Sequence, residues 1–136
     1  MIKNKDGGFM DGKNIEKIIS MCDFIVNAII ENNYDELQKL NVFTRTSQDD
    51  FIRALNEYME DANAKTITKI PEFVYHDTNY RNGFGIISYK DGSGWHIDLD
   101  LWMDGERSDL TLQLNALVDK STGELCYFQI DDIHVL

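Results

Sequence analysis

The sequence predicts an α+β protein in which two or three N-terminal helices pack on one face of a curved, four- to five-stranded antiparallel sheet. In the first half of the chain, apolar residues recur every three or four positions; after about residue 66 they recur every second position. Turn motifs rich in Gly, Asn and Asp separate the alternating segments at regular intervals, which is typical of a meander of sequential strands.

The chain has 136 residues, which fits a single domain over 1–136, and its polar residues 1–12 are expected to form a poorly ordered segment. The first predicted helix follows this segment and carries one apolar stripe that would cover the sheet. The stripe consists of Ile15, Ile18, Ile19, Cys22, Ile25, Val26, Ile29 and Ile30.

Polar residues mark the predicted helix boundaries. Asn32 and Asn33 favour an end to the first helix, and Asn33 with Glu36 resembles a capping box for a short second helix, YDELQKL. Ser47 is the predicted N-cap of a third helix, with its hydroxyl accepting from the amide near Asp50.

Five alternating segments follow the helices. The first is predicted over roughly 67–77, with Pro71 confining its early part to an edge or a bulge. The others are expected at about 84–90, 95–103, 108–118 and 124–136. In the last segment the apolar parity changes at Asp131-Asp132, which predicts a β-bulge there.

The stretch WHIDLDLW, residues 95–102, sets the predicted orientation of the sheet. Its apolar parity, from Trp95 to Leu101, is expected to face the helices, and the parity of His96, Asp98 and Asp100 is expected to face water. Trp102 lies on the polar parity, where it predicts either an exposed binding residue or a side chain packed under a loop or in a dimer.

The charge balance limits the partners. With 13 Lys and Arg against 24 Asp and Glu, the net charge is −11, which repels nucleic acid and anionic membranes and attracts basic proteins.

The polar N-terminus does not resemble a secretory signal, so a cytoplasmic location is expected. Cys22 and Cys126 are expected to be buried, reduced thiols, although a disulfide between them stays open.

The order of elements and the segment IVNAIIENNYDELQKL resemble the nuclear transport factor 2-like superfamily, whose helices close over a bent sheet to form a cone with a pocket. The resemblance extends from about residue 14 to the end and is one of pattern. In the superfamily the third helix usually follows a strand, whereas no strand is evident before Ser47 in this sequence. The resemblance implies one of several activities: an isomerase-type enzyme, a ligand-binding domain, or an immunity protein that neutralises a bacterial toxin.

Catalytic chemistry has little support in the sequence. His96 and Asp98, or Asp98 and Asp100, are close enough on one face of a strand to share an ion. Nothing in the spacing places a third ligand beside them, so neither a metal nor another cofactor is expected. An isomerase-type enzyme needs an aspartate inside its pocket, whereas parity directs these outward. Asp23, Asp61 and Asp77 stay open as pocket acids.

These observations favour a non-catalytic acidic protein, most concretely an immunity protein that occupies a basic toxin such as a nuclease. A pocket-containing ligand-binding protein or enzyme of the same fold is the second hypothesis, and a homodimeric module joined through the open sheet face is the third. The predicted partner-binding residues lie on the polar parity of two strands or in the turn between them: His96, Asp98, Asp100, Trp102, Asp104, Arg107, Asp109, Thr111 and Gln113.

Overall fold

A computed structural model describes residues 2–3, 9–10 and 12–136 of the chain. Strands β1 (Ile2–Lys3) and β2 (Phe9–Met10) pair with each other in antiparallel orientation. Apart from these two strands and Gly12, the segment 1–12, which is predicted to be poorly ordered, lies outside the described residues. The remaining elements confirm the predicted α+β fold, with three helices followed by a curved, unclosed antiparallel sheet.

The three helices are α1 (Gly12–Ile30), α2 (Tyr34–Lys39) and α3 (Gln48–Asp61). The predicted apolar stripe of α1 lies against the sheet, because each of its members is buried or packed on the core. The chain turns away after α1 at Asn32, whose φ of 57° is the left-handed conformation that asparagine tolerates well. None of the described helices is long and apolar enough to cross a membrane.

One of the two predicted caps is confirmed. The Ser47 hydroxyl accepts from the amide of Asp50 at 3.1 Å, which satisfies one of the free donors of the first turn of α3. The capping box at Asn33 is wrong, since the Asn33 side chain makes no cap bond. Its backbone lies at φ −100° and ψ 60°, outside the extended region from which a cap side chain reaches the first turn.

The main sheet contains β3 (Ile67–Thr68), β4 (Phe84–Ser88), β5 (Gly94–Met103), β6 (Glu106–Val118) and β7 (Leu125–Val135). Strands β5, β6 and β7 are neighbours, and β3 and β4 pair with different parts of the outer side of β5. The predicted strand over 67–77 is wrong beyond Thr68. Pro71 precedes a 3-10 helix, Glu72–His76, because proline presets φ near −60° and donates no ladder hydrogen bond.

The apolar parity of the long strands forms the core, as predicted. Ile97, Leu99 and Leu101 of β5 are fully buried, as are Leu112 and Leu114 of β6. They pack in one cluster with the apolar stripe of α1, where each such side chain contributes about 2 kcal/mol through burial. The space between the helices and the sheet is therefore filled by side chains.

Two irregularities shape β7. Leu114 pairs with Ile130 and Gln113 pairs with Asp132, so Asp131 has no counterpart and the predicted bulge is confirmed. A second register shift leaves Cys126 as an extra residue between Leu125 and Tyr127.

Both cysteines are free. Burial raises the pKa of the Cys22 thiol, whereas Cys126 is exposed, which corrects the prediction of two buried thiols. The bulge explains the error, since it turns the Cys126 side chain out of the core parity.

Candidate functional site

The side of the sheet that faces away from the helices carries rows of polar residues that run across β5, β6 and β7. Strand register places three side chains in each row, and we call the nine together the polar sheet face. The rows are His96–Asn115–Gln129, Asp98–Gln113–Asp132 and Asp100–Thr111–His134. Five of the nine predicted partner-binding residues belong to this face: His96, Asp98 and Asp100 on β5, and Thr111 and Gln113 on β6. The polar parity of the two strands is therefore continuous, as predicted.

The middle of the face is a histidine–aspartate pair that an amide supports. His96 Nε2 lies 2.8 Å from Asp98 Oδ1, and Gln113 Nε2 donates to the same oxygen at 3.0 Å. The hydrogen bond that His96 makes to the Asp98 carboxylate raises the pKa of His96, although burial opposes the shift. Burial alone would raise the pKa of Asp98, but the bonds from His96 and Gln113 outweigh it and hold that pKa below its usual value.

A second group, which we call the aspartate cluster, consists of Tyr80, Asp100, Arg107 and Thr111. The hydroxyls of Tyr80 and Thr111 donate to Asp100 Oδ1 at 2.6 and 2.7 Å, and Arg107 Nε donates to Asp100 Oδ2 at 2.9 Å. Asp100 is only 3% exposed and Thr111 is fully buried. The prediction that both face open water is therefore wrong, although their parity is right.

The loop between the 3-10 helix and β4 causes this burial. Tyr80, at a φ of 69°, closes a tight turn in which its amide donates to the carbonyl of Phe84 at 3.0 Å. The Asp100 amide donates to the carbonyl of Gly83 at 2.8 Å, which fixes the loop against β5. Burial, and then the bond to Asp100, raises the pKa of Tyr80. The loop thus covers one end of the polar sheet face.

Arg107 ties the same loop to β6. Its Nη1 donates to the carbonyl of Arg81 at 3.1 Å, and its guanidinium carbon lies 5.6 Å from the centre of the Tyr80 ring, a distance suited to a cation–π contact. A cleft of about 410 Å³ opens beside the cluster, between Tyr80 and Asp109. Because both oxygens of Asp100 already accept from donors, the carboxylate has little capacity left to act as a base on a substrate.

The opposite end of the face is held by the segment between α2 and α3. The Tyr89 hydroxyl donates to Asn115, whose Nδ2 donates to Gln129 Oε1 at 3.3 Å, and Gln129 Nε2 donates to Thr44 Oγ1 at 3.0 Å. Burial raises the pKa of Tyr89. This network fixes the side chains of the row without using a charge.

The β7 side of the face is the most open. His134 Nδ1 lies 2.8 Å from Asp132 Oδ2, and about half of each side chain is exposed. Asp131, in the bulge, lies 2.6 Å from Nε of Arg45. The carboxylates that a partner would reach first are therefore Asp131 and Asp132, which the sequence interpretation did not select. The bulge at these positions was the signal that could have pointed to them, because bulges re-aim side chains.

The remaining predicted residues have local roles. The Trp102 ring packs edge-on against Phe73 at 6.1 Å, so the alternative in which it lies under a neighbouring segment describes it. Asp104 accepts from the amides of Lys65 and Thr66 at 3.0 and 2.9 Å, and Asp109 accepts from the Tyr58 hydroxyl. These contacts anchor the start of β3 and join α3 to β6.

Metal chemistry finds no geometric basis in the described part of the chain, since no three of its His, Cys, Asp and Glu side chains converge where they could hold an ion. In particular, Gln113 separates Asp98 from Asp132, so the two histidine–aspartate pairs lie two strands apart. The face offers fixed carboxylates, amides and imidazoles over three strands, an arrangement suited to recognition of another molecule.

Fold and site together define a small α+β protein with a filled interior and an acid-rich polar sheet face. The chain belongs to the family described as Domain of unknown function (DUF7668), whose model matches residues 26–136 and therefore includes the whole sheet. No curated protein and no solved structure matches the chain.

Proposed function

We propose that the chain is a non-catalytic binding protein that recognises a basic protein through the polar sheet face. The observation that carries this proposal is the continuous polar sheet face above a filled core, in which each row contains a side-chain hydrogen bond between neighbouring strands. Side chains that are already held in place lose little conformational freedom when a partner binds, so more of the contact energy appears as affinity.

The charge of the chain supports a basic partner. A net charge of −11 accelerates the approach of a positively charged protein, and salt weakens that acceleration. Around the open side of the face, Asp98, Asp131 and Asp132 are each paired with only one cationic or titratable side chain. Lysine or arginine side chains of a partner would form charge-assisted hydrogen bonds with these carboxylates, whose positions are already fixed.

The partner that we propose is a bacterial toxin of basic charge, such as a nuclease, which the chain neutralises in the cytoplasm by occupying it. Carboxylates on a rigid face can take the positions that substrate phosphates occupy in such an enzyme. The resemblance to the nuclear transport factor 2-like superfamily, which includes immunity proteins, adds support to this more specific form of the proposal.

Co-expression with candidate basic toxins, beginning with the products of the adjacent genes, tests the proposal directly. We expect the chain to restore growth, to form a complex with the toxin, and to inhibit its activity at a stoichiometric ratio. A toxin that stays fully active in excess protein, with no complex by calorimetry, would contradict the immunity role.

A charge-reversal pair locates the contact. Asp98→Lys with Asp132→Lys changes the face without touching the aspartate cluster, whereas Glu57→Lys with Asp61→Lys makes the same change in net charge at exposed positions of α3. We expect the first pair to slow association by about tenfold or more and to flatten its salt dependence. Equal slowing by both pairs, measured by stopped-flow mixing, would place the contact elsewhere.

A second candidate function rests on a different cleft, of about 390 Å³, between α1 and the 3-10 helix. There the Tyr75 hydroxyl donates to Asp23 Oδ1 at 2.8 Å, beside the apolar side chains of Ile19 and Ile70. An aspartate with a tyrosine beside an apolar wall suits a ligand-binding or isomerase-type site. Thermal-shift screening of a ligand library with the unmodified protein and with Asp23→Asn tests this function. Ligands that stabilise the unmodified protein but not Asp23→Asn would support it.

A further inference from the structure

Two of the three histidines of the chain lie on the polar sheet face, and each is paired with an aspartate two residues away on its own strand. On β5, His96 Nε2 lies 2.8 Å from Asp98 Oδ1, and on β7, His134 Nδ1 lies 2.8 Å from Asp132 Oδ2. The two aspartates belong to one row of the face, with the uncharged Gln113 between them. The charge of this row therefore depends on whether the two imidazoles carry a proton.

The other groups that surround the two pairs keep their charge near neutral pH. In the bulge of β7, Asp131 lies 2.6 Å from Nε of Arg45, which comes from the segment between α2 and α3. In the row of His134, Asp100 is balanced by Arg107 at 2.9 Å. The uncharged neighbours are Tyr89, Thr111, Gln113, Asn115 and Gln129. Among the described groups of the face, the imidazoles are the ones whose charge changes near neutral pH.

Protonation of the two imidazoles cancels the negative charge that a basic partner would meet. With both imidazoles neutral, Asp98, Asp131 and Asp132 outnumber the Arg45 guanidinium by two charges, and with both protonated the balance is zero. A neutral imidazole that donates to a carboxylate keeps an acceptor at its second nitrogen, whereas the protonated ring has a donor at both. Lysine and arginine side chains have only donors, so protonated rings oppose them in charge and in hydrogen bonding.

From this arrangement we infer that protons and a basic partner compete for the polar sheet face, so that the chain holds such a partner at neutral or higher pH and releases it as the pH falls. The inference rests on the proposed function, because it describes the regulation of the same face. By linkage, the proton and the partner weaken each other's binding by the same factor. The hydrogen bond to Asp98 raises the pKa of His96 above its usual value of 6.5, which brings this titration closer to neutral pH.

The affinity of the full chain for N-acetylated hexalysine, measured by calorimetry between about pH 5.5 and pH 8, tests the inference. Over this range the lysines of the peptide and the carboxylates of the chain keep their charge. We expect the dissociation constant to rise about fivefold or more from the upper to the lower pH, which is the lower end of the usual coupling between two bound species. A dissociation constant that does not change, or no binding at any pH, would overturn the inference.

Histidine variants assign the effect to the face. His96→Gln with His134→Gln removes both paired rings of the face, whereas His76→Gln removes the third histidine, which lies on the 3-10 helix 4.0 Å from Glu72. We expect the double variant to bind hexalysine with nearly the same affinity at both ends of the pH range, and His76→Gln to keep the dependence of the unmodified chain. A dependence that persists in the double variant, once circular dichroism shows it to be folded, would refute the inference.

NMR of the imidazole protons supplies a readout on the unmodified chain. Because linkage is reciprocal, saturating hexalysine should lower the pH at which His96 titrates and leave the titration of His76 in place. An unchanged titration of His96 would overturn the inference. The immunity role is judged separately by co-expression, since a toxin that is neutralised with an affinity independent of pH would leave that role standing and refute only the competition with protons.

Discussion

Asp98 and Asp100 lie two residues apart on β5, on the same side of the sheet, yet their surroundings differ. Asp100 is 3% exposed and accepts from two hydroxyls and a guanidinium, whereas about a fifth of the Asp98 side chain is exposed and its partners are an imidazole and an amide. Strand parity alone makes the two positions equivalent. The difference arises because the loop containing Tyr80 folds over one of them.

The comparison separates a structural carboxylate from an accessible one. A buried carboxylate that is fully hydrogen-bonded stabilises the fold only while all its partners are present, and it has little left to offer another molecule. A half-buried carboxylate keeps part of its hydration and is free to exchange water for a cationic partner. The accessible half of the polar sheet face therefore extends from Asp98 toward Asp132, away from the aspartate cluster.

Removal of each carboxylate should reveal the difference most strongly. Asp100→Ala leaves the Arg107 guanidinium and two hydroxyls without their acceptor, and we expect it to lower the free energy of unfolding by about 3 kcal/mol. Asp98→Ala should cost about 1 kcal/mol, because water can replace much of what it loses. Urea denaturation measures both values, and similar losses for the two variants would show that the comparison is wrong.

A smaller effect is expected at Gly83, which holds the covering loop. Its φ is 92°, and a Cβ there would lie 3.0 Å from Arg107 Nε and 3.1 Å from Asp100 Cβ. We expect Gly83→Ala to cost about 2–3 kcal/mol through backbone strain and displacement of the cluster. Gly92→Ala, with a φ of 77° and open space around its Cβ, should cost roughly 1 kcal/mol through strain alone. Thermal denaturation that ranks Gly92→Ala as the more damaging would contradict this account.

The smallest effect is the pH dependence of the His96–Asp98 pair. The pKa of His96 is raised in the folded state, so its contribution to stability is complete below its unfolded value of about 6.5 and is lost as pH rises through the folded value. The pKa of Asp98 is lowered, so its contribution is present above about 4 and is lost as pH falls through the folded value. The pair is therefore most stabilising between roughly pH 4 and 6.5.

His96→Gln should consequently cost more at about pH 6 than at about pH 8.5, by less than about 1 kcal/mol since the pair is partly solvated. The measurement is urea denaturation of both proteins at several pH values. In an Asp98→Asn background the same substitution should lose this pH dependence, because the charge that raises the pKa of His96 is gone. A pH dependence that persists there would assign it to another group.

Several features of the site were open to prediction and others were not. The two-residue alternation of β5 and β6 predicts which side chains share the polar sheet face, and the change of parity at Asp131 predicts the bulge. Neither pattern shows which side chains another segment covers, and for this reason the sequence alone predicts that Asp100 and Thr111 lie in water. The Asn-Tyr-Arg-Asn-Gly turn at 79–83 was recognisable as a loop, but no local pattern shows that Tyr80 reaches Asp100, twenty residues away.

The α+β class, the apolar stripe of α1, the orientation of the strands and the negative charge can all be predicted without coordinates, because each follows from periodicity or from composition. Which polar residues are buried, which carboxylates stay accessible and which segment lies along β7 are properties of the tertiary structure. These depend on contacts between segments far apart in the chain, and such contacts are set by packing in three dimensions rather than by the spacing of neighbouring residues.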